Sequence, residues 1–139
     1  MPAAKRKKNE HVRTRKDHAN ELAEDYVEAI DDVISEHGTC RVVDLAKRFG
    51  VTHVTVNRTV GRLQRDGYVQ TEPYAPITLT AKGKKLADAS RHRHDIVERF
   101  LIAHGISADT ARIDAEGIEH HVSEETLKVM EQFVKKSNA

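Results

Sequence analysis

RVVDLAKRFGVTHVTVNRTVGRLQRDG, residues 41–67, is the stretch on which the fold turns. Its first part, Arg41 to Phe49, carries Val42, Val43, Leu45, Ala46 and Phe49 and breaks at Gly50. A second short helix is predicted over His53 to Arg65, where Val56, Val60 and Leu63 face inward and Asp66-Gly67 terminates the run. Two short helices joined by a tight, glycine-containing turn make a helix-turn-helix. Any helix pair can be ordinary packing, so the outward face carries the weight. It presents Thr52, His53, Thr55, Asn57, Arg58 and Arg62, types that reach base edges or phosphates. No acidic residue occurs from Thr52 to Arg65, so this surface does not repel a phosphate groove. Thr52, His53, Thr55, Asn57 and Arg58, near the helix N-terminus, are candidates for base readout. Arg62, Arg65, Lys82, Lys84 and Lys85 are candidates for the DNA backbone.

Downstream, Tyr68-Val69-Gln70-Thr71 and Ile77-Thr78-Leu79 lie around Pro73 and Pro76, as a two-stranded wing on an edge hairpin would. Thr80 can cap a longer helix through AKGKKLADASRHRH to about His104, stopped by Gly105. Ser107 caps another to about His121. Ser123, followed by Glu125 and Thr126, opens a last helix with Leu127, Met130, Phe133 and Val134 on one face, a stripe that either forms a dimer surface or closes the core. Upstream, a helix is predicted from Glu21, with Leu22, Tyr26, Ile30, Val33 and Ile34 as its apolar stripe and Gly38 as its end. Residues 1–20 hold almost nothing apolar and are expected to form a flexible basic arm, serving solubility or non-specific phosphate contact.

The net charge of +1 hides an uneven distribution: +5 over residues 1–20, −7 over 21–40, +6 over 41–85 and −3 over 86–139. A basic middle suits a polyanion; the acidic stretch would repel one and needs another explanation. No run approaches the roughly 18 apolar residues of a membrane span, and the N-terminus lacks a secretory core, so a cytoplasmic protein without membrane association is expected. The single cysteine, Cys40, excludes an intrachain disulfide and a thiolate zinc cluster, and is read as an ordinary small residue.

The acidic stretch finds its explanation in spacing. Asp25 and Glu28 share one face of the first helix, and Glu116, Glu119 and His120 follow i, i+3, i+4 spacing later in the chain. His94 stands between them in SRHRHDIVERF. A lone Glu or His on an amphipathic helix is usually solvated. Four carboxylates and two imidazoles brought together, however, are costly to bury without a cation. Oxygen donors with a little imidazole and no sulfur favour Mn²⁺, with Fe²⁺ or Zn²⁺ able to substitute, and disfavour a closed structural zinc site. Glu28 and Glu119 have the oxygens to bridge two ions about 4 Å apart, so two ions per subunit are allowed for. His121, His104, His92 and His37 are spare histidines, of which His121, adjoining the cluster, is read as structural or outer-sphere.

Together, DYVE at Asp25–Glu28, GRLQRDGYV, LTAKGKKLA at Leu79–Ala87, RHDIVERFL at Arg93–Leu101 and DAEGIEHHVSEETL at Asp114–Leu127 resemble the DtxR/MntR metalloregulators, on their manganese-responsive branch, over about residues 21 to 135. The resemblance implies a homodimeric, Mn²⁺-activated repressor of manganese uptake genes. It places the family's ligands at Asp25, Glu28, His94, Glu116, Glu119 and His120. Iron-responsive relatives carry Met and Cys where this chain has Asp25 and Glu116, so the oxygen donors here support manganese. The extra SH3-like domain of iron-type members is expected to be absent, and the basic arm is longer than in compact members.

The expected fold is mainly α: an arm over 1–20, a winged helix-turn-helix DNA-binding domain over 21–88, and a helical dimerisation and metal-binding domain over 89–139. The expected function is a manganese-dependent DNA-binding regulator, not an enzyme. Because one helix-turn-helix reads a half-site, the expected partners are double-stranded palindromic operator DNA and a second copy of the chain, with recognition helices about 34 Å apart. Two rivals are a metal-independent winged-helix regulator sensing a small molecule, which would leave operator affinity unchanged by chelation, and a metal-dependent hydrolase, for which the chain offers no separate nucleophile or phosphate-cradling loop.

Overall fold

The computed structural model describes the backbone of residues 3–138 and the side chains of residues 18–138. Met1 and Pro2, at the start of the expected arm, lie outside the described residues. The elements run α1 (Ala3–His37), α2 (Val42–Phe49), α3 (His53–Arg65), β1 (Val69–Gln70), β2 (Thr78–Leu79), α4 (Ala81–Ala103), α5 (Ala108–Ile118) and α6 (Glu124–Ser137). No helix among the described residues is long and apolar enough to cross a membrane.

The chain forms two compact units: residues 22–89, and residues 90–139 together with the start of α1 up to Glu21. The first contains α2, α3, β1 and β2. The expectation of a separate arm needs correcting, because α1 begins at Ala3 and not at Glu21. No glycine or proline interrupts residues 3–37, and Ala, Lys, Arg and Glu are strong helix formers. Extending a helix already nucleated by a packed segment costs far less than starting one, so a polar stretch can stay helical without a core of its own.

In the DNA-reading unit, α2 begins with the Arg41 backbone N–H donating to the Asp44 carboxylate at 2.8 Å. It ends at Gly50, whose φ of +66° is the left-handed conformation that glycine adopts without strain. The Thr52 hydroxyl then caps α3 by accepting from the Thr55 N–H at 3.1 Å. Strands β1 and β2 pair antiparallel, Val69 opposite Leu79 and Gln70 opposite Thr78. The Ile77 N–H donates to the Cys40 carbonyl at 2.7 Å, tying the wing to the segment between α1 and α2. Tyr26, Ile30, Val33, Cys40, Leu45, Val56, Val60, Leu63, Val69 and Ile77 make the core, and the Tyr26 and Phe49 rings stack 4.6 Å apart. Leu22, expected in the stripe of the first helix, is exposed instead.

Thr80 caps α4 as expected: its hydroxyl donates to the Gly67 carbonyl at 2.6 Å and accepts from the Gly83 N–H at 3.0 Å. A side chain at Gly83 would run into the Tyr68 carbonyl, so α4 can lie this close to the chain leaving α3 only with glycine there. In the second unit, the Ser107 and Ser123 hydroxyls cap α5 and α6 by accepting from the Thr110 and Thr126 N–H groups at 3.4 and 3.1 Å. Ile96, Val97, Ala115 and Leu127 form its small core, with Leu101, Val122 and Met130 packed against it. Of the apolar stripe on α6, Leu127 and Val134 are buried and Phe133 is partly exposed, its ring against Phe100 at 5.5 Å and His104 at 4.4 Å. Leu127 and Met130 therefore close the core.

Candidate functional site

The interior of the second unit gathers side chains from α4 and from the end of α5. Helix α5 stops at Ile118, three residues earlier than expected, so Glu119 is its cap and His120 lies in the turn that leads to α6. Glu116, Glu119 and His120 thus straddle a helix end. Glu119 keeps right-handed helical angles (φ −55°, ψ −33°), which preserves the i, i+3 alignment with Glu116.

His94, Glu116 and Glu119 each offer one donor atom, and all three atoms lie within 4.8 Å of one another. His94 Nδ1 faces a Glu116 oxygen at 3.5 Å and a Glu119 oxygen at 3.7 Å, yet it is buried and makes no hydrogen bond. His94 Nε2 stands 3.1 Å from Glu98 Oε2 on the next turn of α4. An ionised carboxylate accepts only, so Nε2 carries the hydrogen and donates it, which leaves the Nδ1 lone pair directed at the two carboxylates. That is the arrangement by which an outer carboxylate fixes a metal-ligating imidazole in one tautomer. His120 Nε2 lies 3.5 Å from Glu119 Oε1, with both side chains buried.

Burying Glu119, which is 1% exposed, among other carboxylates carries a desolvation cost of several kcal/mol per ion unless opposite charge compensates it. An Nδ1 lone pair, two convergent carboxylates and an adjacent buried imidazole fit a divalent cation, and the lack of thiolate fits a hard or borderline ion. Four of the six expected ligands, His94, Glu116, Glu119 and His120, are therefore brought together. Asp25 and Glu28 lie one turn apart on α1, in the DNA-reading unit, and both are partly buried. Glu98 was missed by the sequence reading, although its position four residues after His94 is a usable signal.

On the other unit, Thr52, His53, Thr55, Asn57, Arg58, Arg62 and Arg65 are all exposed along α3 and its cap. Val54, 66% exposed at the start of α3, is an apolar group on the same surface that the sequence reading passed over, suited to a thymine methyl. Tyr74 in the wing is wholly exposed, with φ +67°, and the Arg41 guanidinium donates to its carbonyl at 3.1 Å. Lys82 donates to the Asp66 carbonyl at 2.7 Å and lies over the Tyr68 ring, 4.4 Å from its centroid. Lys84 is held by Asp31 at 2.9 Å and Asp88 at 3.2 Å, and its hydrogen bonds, first to Asp31 and then to Asp88, keep its ammonium above the ordinary lysine range. Both Lys84 and Lys85 are exposed, and Lys84 is the one paired to carboxylates of the protein.

With this geometry in hand, comparison with known proteins is specific. Residues 18–77 match the iron dependent repressor N-terminal DNA binding domain, and residues 80–138 match the iron dependent repressor metal binding and dimerisation domain. The chain is 48% identical to the transcriptional regulator MntR of Escherichia coli O6:H1 over 134 residues, covering 94% of this chain and 86% of that protein. It is 40% identical to the HTH-type transcriptional regulator MntR of Geobacillus thermodenitrificans over 100 residues, covering 72% of this chain and 71% of that protein. Among solved structures, it resembles the manganese regulator SloR (TM-score 0.70, 27% identity, 81% of this chain and 53% of that one). It also resembles a manganese-dependent transcriptional repressor in complex with manganese (TM-score 0.70, 28% identity, 81% of this chain and 52% of that one). The chain spans about half the length of these two structures. With both family domains matched in order across nearly all of its length, the chain belongs to the iron-dependent repressor family, the DtxR/MntR metalloregulators, on its MntR branch.

Proposed function

We propose that this chain is a cytoplasmic, manganese-activated transcriptional repressor, with no catalytic activity, that binds palindromic operators of manganese uptake genes as a homodimer. The observation that carries the reading is the convergence of His94, Glu116 and the buried Glu119, whose donor atoms lie within 4.8 Å of one another. We assign the ligand set to those three residues with His120, Asp25 and Glu28, which leaves room for two ions per subunit and for Fe²⁺ or Zn²⁺ as substitutes. When bound, the ion supplies the positive charge that lets these carboxylates stay ionised in the interior. Glu98 holds the His94 ring by accepting from Nε2–H. Thr52, His53, Thr55, Asn57 and Arg58 read base edges, while Arg62 and Arg65 position the helix on phosphates. Because the proposed ligands come from both units, Asp25 and Glu28 from one and the other four from the other, ion binding favours the conformations in which all six are within reach, and operator binding draws on the same conformations.

The test is selection of operator duplexes from a random-sequence pool with Mn²⁺ present, followed by gel-shift titration with Mn²⁺, Fe²⁺ and Zn²⁺ on the wild type and Glu119→Ala. A two-fold symmetric site is expected, bound at least about 100-fold more tightly with Mn²⁺, and Glu119→Ala should lose that response while its circular dichroism stays helical. Operator affinity unchanged by chelation would overturn the proposal.

A further inference from the structure

Outside that ligand set, the second unit holds another group of donors. His18 and Glu21 lie three residues apart on α1, hence on one face. His121 comes from the turn between α5 and α6. His121 Nε2 is 3.3 Å from Glu21 Oε2, and His18 Nδ1 is 3.9 Å from the same oxygen. The two imidazoles meet edge to face, with centroids 6.5 Å apart and planes at 78°.

Surface ion pairing explains this poorly. A neutral imidazole can donate one N–H to the carboxylate, but an exposed pair of this kind contributes little, and two imidazolium ions around one carboxylate would repel each other. Metal coordination needs neither ring charged. Two ligands of a tetrahedral ion, each about 2.0–2.1 Å from it, stand about 3.3 Å apart. The Glu21–His121 separation already matches that edge, while His18 Nδ1, 3.9 Å from the same oxygen on a 71% exposed side chain, has to move inward to complete the site.

We propose that His18, Glu21 and His121 form a second, surface metal site for an imidazole-preferring divalent ion, Zn²⁺ being the class. Two nitrogens and one oxygen sit further toward zinc in ligand preference than the carboxylate-rich interior group does. The ion joins the start of α1 to the α5–α6 turn within one unit, and so orders the stretch of α1 that has no apolar stripe. This site uses none of the six residues assigned above, so it stands or falls separately from them. Glu21 also places an oxygen within 4.8 Å of a His120 nitrogen, so the diagnostic changes are at the two histidines and not at Glu21.

The experiment titrates full-length chain with Zn²⁺ alone by calorimetry. In a Glu119→Ala background, which disables the interior group, one Zn²⁺ is expected to bind, and adding His18→Ala and His121→Ala should weaken that binding at least about 100-fold. The double histidine variant with Glu119 intact should keep its Mn²⁺-dependent operator binding. As a check that does not depend on any variant folding, nitrogen NMR of the wild type should show the His18 and His121 ring resonances shifting on Zn²⁺ addition. Equal Zn²⁺ affinity with and without the two histidines, or ring resonances that do not move, would overturn the site.

Discussion

The largest fully buried side chains of the DNA-reading unit are apolar: Ile30, Leu45, Ile77, Val27, Val56 and Val69. In the other unit, Glu119 stands among the most deeply buried side chains, and among the described residues the buried apolar groups are Ile96, Val97, Ala111, Ala115, Leu127 and Val134. The first unit gains its stability mainly from burying apolar surface, with Glu24 buried and Asp25 and Glu28 partly buried on α1, and exposes the α3 residues proposed to read DNA. The second gives up part of its interior to groups that must be neutralised or coordinated. The DNA-reading unit thus rests mostly on apolar packing, and the other depends more on charge supplied from outside.

Three measurements press on this contrast, beginning with the largest effect. Leu45→Ala should cost about 2–5 kcal/mol in chemical denaturation, because a fully buried leucine leaves a cavity, and the loss should be the same with and without Mn²⁺. Recovery of that stability by metal would break the contrast. Next, Mn²⁺ at about 100 times its dissociation constant should add about 2.7 kcal/mol of stability, seen in hydrogen exchange as extra protection concentrated in α5 and the α5–α6 turn and weaker in α2 and α3. Protection rising equally everywhere would show the two units to be one cooperative body. The smallest effect concerns Cys40, whose thiol is pushed up to about 11, first by burial, then by the nearby Asp44 carboxylate, against a smaller lowering by Arg48. A group with a raised value holds its proton longer in the folded chain, so stability should be level below about pH 9 and fall as pH rises from there through about 11. Thiol alkylation at pH 8 should be slow in the native chain and fast in denaturant; rapid native alkylation would mean that this core is open.

Much of the DNA-reading unit was legible because its signals are local. The Val56, Val60 and Leu63 spacing and the Thr52 cap act within a few residues, and both reappear in α3. The Thr80, Ser107 and Ser123 caps were legible for the same reason. The length of α1 was not, since low apolar content was read as absence of structure when helix propensity and continuity govern instead. The end of α5 was missed because helical spacing continues in the sequence through His120, while the backbone turns toward the Ser123 cap. That Lys84 pairs with Asp31, 53 positions away, was not legible, because the contact joins distant parts of the chain.

From residue types alone came the class of ligand and of partner: oxygen and imidazole donors without sulfur, and a recognition helix without acids. These depend on atoms that a side chain carries wherever it sits. Only the tertiary structure decided which donors share a volume, that Glu98 turns the His94 lone pair toward Glu116 and Glu119, and that His18 and His121 approach the same Glu21 oxygen. Coordination and desolvation act over a few ångströms of space, and spacing along the chain specifies that distance only within a single helix.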